Sequence, residues 1–199
     1  LRFPHHENEI AQAEAATGKQ FSHFWMHIGL LTINGEKMSK SIGNIINVKD
    51  LLKTWDAEIL RMYFAQVHYR SPPDFSEKAL ADIEKGRERL YRVKERLEEH
   101  VKHASQQNPS LTMLHKVEKE YLTTIKELQQ EFELAMDDDF NTPKAFASLF
   151  EFINKSNKFF EQQPQPNPEL CKHALDVYLK IGSVLTLFQP KTNAQTKEE

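Results

Sequence analysis

One cysteine, Cys171, is all that the 199 residues hold, which excludes a disulfide framework within the chain. No apolar run approaches the length needed to cross a bilayer, and no secretory signal opens the sequence. Charge of one sign is missing too: 26 Lys and Arg stand against 29 Asp and Glu, a formal net charge of −3, without a concentrated basic stripe. Bulk charge therefore gives no sign of nucleic-acid binding, and argues against this chain gripping an RNA tightly by itself. What remains is the composition of a soluble intracellular protein, long enough to bury a core in one or two domains.

Against that plain background one short run stands out, Lys37-Met38-Ser39-Lys40-Ser41. Two primary amines and two hydroxyls on one segment suit the grip on a polyphosphate, because lysines supply compact charge and hydroxyls supply aimed donors. Charge that builds on phosphorus during transfer is neutralised in this way without further protein chemistry. An exposed basic loop is the plainer reading. The flanks favour a working part: Asn34-Gly35 is a strong hairpin-turn dipeptide, and Gly43-Asn44 gives the loop a second flexible end.

Upstream lies Phe3-Pro4-His5-His6-Glu7-Asn8-Glu9-Ile10. Pro4 suits a helix start, and Gly18 is a natural stop after an Ala-rich stretch to Thr17. On such a helix His5 and Glu9 are four apart and share a face. An imidazole nitrogen and a carboxylate oxygen so placed can share a zinc ion, and such pairs are also common on exposed helices. Cys171 is far off on another helix, where a buried core thiol is expected.

The organisation changes near Ser71-Pro72-Pro73. Before it come a strand around 24–33, the loop, an extended run at 44–46, and two helices capped by Asn47 and Asp56, the second over 57–67. After it four apolar stripes at helical spacing predict an antiparallel bundle. They are Leu80–Val101, Leu114–Ala135, Phe146–Ile153 and Leu170–Leu185. Thr142-Pro143 and Asn167-Pro168 each place a capping side chain before a first-turn proline. Asp137-Asp138-Asp139 invites magnesium, but adjacent carboxylates on a helix diverge where Mg²⁺ wants a converging set. The preferred reading is structural, with acids favouring the positive end of the Pro143 helix.

Together, Phe3–Glu14, Trp25-Met26-His27 with Gly29, and Gly35 to Asn44 resemble the cysteinyl-tRNA synthetases, class I aminoacyl-tRNA synthetases. Asp56-Ala57-Glu58, His68-Tyr69-Arg70-Ser71 and Met136 to Pro143 fit the same family in order, so the resemblance runs from residue 1 to about 190. It implies a mainly α fold: residues 1–73 as the end of an α/β nucleotide-binding catalytic domain with the lysine-loop, stem-contact region, then 74–190 as a DALR-type antiparallel helical bundle, then a polar tail, 191–199. By the same resemblance His5 and Glu9 join two upstream cysteines around one Zn²⁺. Lys40 contacts ATP, with Lys37, Ser39 and Ser41 beside it, and Lys40 and Lys37 are the catalytic candidates. The implied substrates are L-cysteine, ATP with Mg²⁺, and tRNA(Cys), handled by a cytoplasmic monomer that needs no membrane.

The family's nucleotide-binding half, its first ATP motif and both zinc cysteines do not occur here. The reading is thus a part of such an enzyme, inactive alone. His27-Ile28-Gly29-Leu30 imitates the missing ATP motif but sits too close to the lysine loop, in a run that reads as strand. Two rivals stand beside this reading: a cysteine–amino-sugar ligase of mycothiol synthesis, and a non-catalytic binding fragment.

Overall fold

The computed structural model describes residues 2–39, 41, 43–102, 111 and 114–189; the expected polar tail, 191–199, lies outside them. The fold is mainly α, as the sequence implies. After a π-type turn, Arg2–His6, helix α1 spans Glu7–Thr17. It stops at Gly18, whose φ of 63° lets its N–H turn back onto the Glu14 carbonyl, a conformation that costs a residue with Cβ.

Strands β1 (Thr32–Ile33) and β2 (Glu36–Lys37) form the expected hairpin. Its two central residues, Asn34 and Gly35, take φ of 51° and 79°, the left-handed pair that matches the twist of a two-residue turn. Strand β3 (Asp74–Phe75) joins β1 in parallel on its other side, giving the order β2-β1-β3. The strand expected over 24–33 shrinks to its last two residues. Upstream of Thr32 the described residues offer no ladder partner, so Phe24, Met26, Ile28 and Leu30 stay exposed and only single bonds reach the neighbouring segment.

Helices α2 (Val48–Thr54) and α3 (Ala57–Ala65) begin where their caps put them. The Asn47 side chain accepts from the Lys49 N–H and that of Asp56 from the Glu58 N–H. Helix α3 ends two residues earlier than expected, with Gln66 as its cap. One face of α3 carries Ile59, Leu60 and Tyr63 into a small core with Ile33, Phe75 and Leu80, which fastens the sheet to the helices.

Four long helices follow: α4 (Glu77–Lys102), α5 (Lys116–Asp137), α6 (Thr142–Gln162) and α7 (Pro168–Val184). Helix α5 packs on α6 and α7, while α4 packs on α7 and α6, which closes a bundle around one apolar seam. The expected stripes supply most of that seam. Val93, Ile125 and Phe152 join it as well, each within a turn of a stripe member, and Phe159 and Phe160 extend the third stripe toward the end of α6. Tyr121 lies flat on Phe159 at 3.9 Å between centroids and its hydroxyl pairs with that of Ser156 at 2.9 Å. That partner makes an interior hydroxyl tolerable. Asn167 caps α7 as expected, accepting from the Glu169 and Leu170 N–H groups. At α6 the cap is Asn141, one residue before Thr142, because the Asn141 amide oxygen reaches the Lys144 N–H.

One buried carboxylate joins the two cores. Glu58 is 3% exposed, yet its oxygens accept from Arg87 Nε at 3.2 Å, the Tyr91 hydroxyl at 2.7 Å and the Phe188 N–H at 2.9 Å. Arg87 also reaches Asp56 at 3.1 Å. Burial and the Glu58 carboxylate together push the Tyr91 hydroxyl up to about 12, so it stays a donor.

Candidate functional site

The hairpin delivers Lys37, exposed at the end of β2, to the start of the basic loop. The loop is closed across its base by one side chain. Asn44 Oδ1 accepts the Ser39 N–H at 2.8 Å while Asn44 Nδ2 donates to the Lys37 carbonyl at 3.2 Å. The far end is therefore clamped by Asn44, with the bend itself supplied by Gly43 at φ 73°. Ser39 and Ser41 bring their hydroxyls within 3.2 Å of each other, and both are open to a ligand's oxygens. Lys40 lies outside the described residues.

Asp74 holds the hairpin from beneath, a role its sequence position beside Pro72-Pro73 did not suggest. One carboxylate oxygen takes the Gly35 N–H at 2.7 Å and the Thr32 hydroxyl at 2.8 Å. Those two bonds, Gly35 first, hold the Asp74 carboxyl below its usual range and keep it charged. Between the hairpin, α2 and α3 lies an apolar cavity of about 310 Å³, with Arg61 as the one charged residue among its lining.

His5 and Glu9 are both exposed and four residues apart, but α1 begins only at Glu7, later than Pro4 suggested, so His5 stands in the preceding π-type turn and Glu9 in the first turn of α1. Their chemistry, one imidazole and one carboxylate, fits half of a tetrahedral zinc donor set. Among the described residues no group of three or more His, Cys, Asp or Glu converges as a metal site. His6 points elsewhere. Its ring stacks on Trp25 at 5.0 Å and tilts against His27 at 5.1 Å, and its Nδ1 is buried without a hydrogen-bond partner. Cys171 is fully buried in the bundle and burial pushes its thiol up to about 12, so it supplies no thiolate.

The acidic run is structural: Asp138 accepts from Asn141 Nδ2, on the cap of α6, at 3.2 Å. Asp137 ends α5, Asp138 caps it, and Asp139 follows with φ 53°. Instead of facing a helix start, Asp139 accepts from Arg70 Nε at 2.6 Å and from the Tyr69 hydroxyl at 2.6 Å. The Arg70 guanidinium, then the Tyr69 hydroxyl, hold its carboxyl below the usual range. The bond to Asp139 in turn pushes the Tyr69 hydroxyl up.

Gly29 has a packing role. Its N–H donates to the Tyr69 carbonyl at 2.7 Å, and a Cβ there would overlap the Ser71 carbonyl and Pro72 nitrogen. Backbone cannot step aside as a side-chain tip can. Gly29→Ala is expected to cost about 1–3 kcal/mol, the range for overpacking, measured by thermal unfolding, and an unchanged midpoint would contradict this packing.

Residues 1–85 match the family described as tRNA synthetases class I (C) catalytic domain, and residues 131–189 match the DALR domain. Over 194 residues the chain is 46% identical to a cysteine--tRNA ligase of Thermodesulfovibrio yellowstonii, covering 95% of this chain and 38% of that protein. Relatives of the same name from Bacillus cytotoxicus and Thermococcus gammatolerans are 41% and 38% identical, each across 100% of this chain and 40% and 41% of their own. The chain thus spans about two fifths of the length of these curated relatives. Among solved structures it resembles the fold of Agrobacterium radiobacter K84 agnB2 LeuRS from a ternary complex with tRNA and LeuAMS. The TM-score is 0.64 at 16% identity, over 78% of this chain and 20% of that one.

Proposed function

We propose, since the chain belongs to the cysteinyl-tRNA synthetases of class I, that it closes the active site of a cysteine-activating enzyme and carries the helical bundle behind it. The observation that supports this most is the Lys37–Ser41 loop, hung on a clamped hairpin and tied off by Asn44. In the proposed reaction the cysteine carboxylate attacks the α-phosphate of ATP, giving cysteinyl-adenylate and pyrophosphate. The 3′-terminal ribose hydroxyl of tRNA(Cys) then takes the aminoacyl group and AMP leaves. Residues 1–73 are assigned to the catalytic domain and 74–190 to the DALR-type bundle.

Each named group has a part. Lys37 and Lys40, together with the Mg²⁺ that ATP brings, neutralise charge on its phosphates, while Ser39 and Ser41 donate to the phosphate oxygens. His5 and Glu9 supply two of the four zinc ligands. A zinc ion so held favours the thiolate of cysteine over the neutral hydroxyl of serine, a discrimination that pocket size alone gives poorly. Cysteine-dependent exchange of pyrophosphate into ATP, followed by charging of tRNA(Cys), tests the reading in the complete protein. Exchange without charging would favour an amino-sugar ligase, and neither activity would favour a binding module.

The zinc assignment carries its own expectation. In the complete protein His5→Ala or Glu9→Ala removes about one zinc equivalent and weakens cysteine binding with it, whereas His6→Ala leaves metal in place. The reason is direction: neighbouring residues of a helical turn point to different sides of it, and the His6 ring is already engaged with Trp25 and His27. Metal analysis of the purified variants decides it. Loss of zinc in His6→Ala but not in His5→Ala would reverse the register.

A further inference from the structure

Two runs that stand out in the sequence, His68–Ser71 and Asp137–Asn141, take no part in gripping nucleotide or metal, yet the fold joins them. Tyr69 and Asp139 are 70 residues apart in the chain. Their joint is three-pronged: Arg70 Nε to Asp139 Oδ2, Arg70 Nη2 to Oδ1 at 3.3 Å, and the Tyr69 hydroxyl to Oδ1. The ion pair is open to solvent, with 66% and 45% of the two side chains exposed, so it adds little to stability. Its geometry is nonetheless heavily determined. Asp139 and Phe140 both sit at positive φ, a costly backbone held by bonds from Phe140 N–H to the Met136 carbonyl and from Asn141 N–H to that of Ala135. Strained backbone that aims a side chain of small energetic worth points to positioning.

What it positions can be followed bond by bond. The Tyr69 carbonyl takes the Gly29 N–H, the Pro73 carbonyl takes the Thr32 N–H at 2.9 Å, and the Phe75 carbonyl takes the Asn34 N–H at 3.3 Å. Asp74 holds the hairpin tip through Gly35. Residues 69–75 thus form a strap that fixes the hairpin from base to tip, and the loop begins at Lys37, the last residue of that hairpin. We propose that Asp139 is a positioning residue. By fixing Arg70 and Tyr69 it sets the strap, and through the strap it sets how the loop beginning at Lys37 meets the nucleotide.

This rests on the function proposed above, and the test separates the two. Cysteine-dependent pyrophosphate exchange is measured in the complete protein carrying Asp139→Asn, Arg70→Gln or both, beside thermal midpoints and amide hydrogen exchange. Each single change is expected to lower the saturating rate roughly tenfold to a hundredfold, the cost of misplaced reacting groups. The KM for ATP stays within roughly twofold and the midpoint is unchanged. The double variant loses no more than either single one, because both cut the same joint. In Asp139→Asn the Gly29 and Gly35 amides exchange faster. An unchanged rate in Asp139→Asn, or losses that simply multiply in the double variant, would overturn the proposal. Should the unaltered protein show no exchange, the function fails and the amides decide the positioning: faster exchange at Gly29 and Gly35 upholds it, and no change defeats it.

Discussion

Glu58→Ala is expected to destabilise the protein by about 3–5 kcal/mol, the cost of removing one partner of a buried ion pair, with Arg87 left only its bond to Asp56 at 3.1 Å. Its side chain is 4% exposed and Arg87 is 19% exposed, so water cannot replace the lost carboxylate. The Tyr91 hydroxyl and the Phe188 N–H lose their acceptor in the same stroke. Glu58→Gln keeps an oxygen for one of these donors and is expected to cost less. Adding Arg87→Met to Glu58→Ala is expected to restore part of the loss, since the guanidinium left with Asp56 alone is then gone. Chemical unfolding of the four proteins measures it. A loss below about 1 kcal/mol, the range of an exposed pair, would place Glu58 outside the structural core.

Lys40→Ala is expected to slow adenylate formation by about 10²–10³-fold, the cost of losing one aimed donor to a developing anion. ATP affinity is expected to change far less. Lys37, Ser39 and Ser41 share the attraction to resting ATP, and Ser39 and Ser41 already stand side by side on the loop. Negative charge grows on the bridging oxygen as pyrophosphate departs, so a lysine that meets it there acts on the transition state. Single-turnover adenylate formation, set beside the ATP dissociation constant, separates the two effects. A variant that binds ATP poorly but forms adenylate normally at saturation would make Lys40 a binding residue alone.

The sequence was most informative where the physics is local. Asn34-Gly35 specified its own turn, because only residues that accept positive φ can occupy both central positions of a two-residue hairpin. Asn47, Asp56 and Asn167 announced helix starts, since a capping oxygen needs only the N–H groups two or three residues on. The apolar stripes gave the bundle by their spacing. The lysine loop and the His5/Glu9 pair were legible as chemistry, because residue type and short spacing carry that meaning by themselves.

Other features needed the folded chain. The strand read over 24–33 kept only Thr32–Ile33 in a ladder, since hydrogen-bonded pairing depends on a neighbour that no residue in the strand specifies. Thr142 read as the cap before Pro143, and Asn141 took that place because its amide oxygen reaches the Lys144 N–H. Asp139 read as a helix-dipole acid and became the partner of Arg70 and Tyr69. Glu58 stood out only within the Asp56-Ala57-Glu58 run and became the anchor for Phe188, 130 residues later. Such pairings leave no periodicity behind: two side chains meet because the intervening helices have fixed lengths and packing angles. Composition and local pattern determined which elements form and which groups carry chemistry. Tertiary packing alone decided which distant carboxylates hold those groups in place.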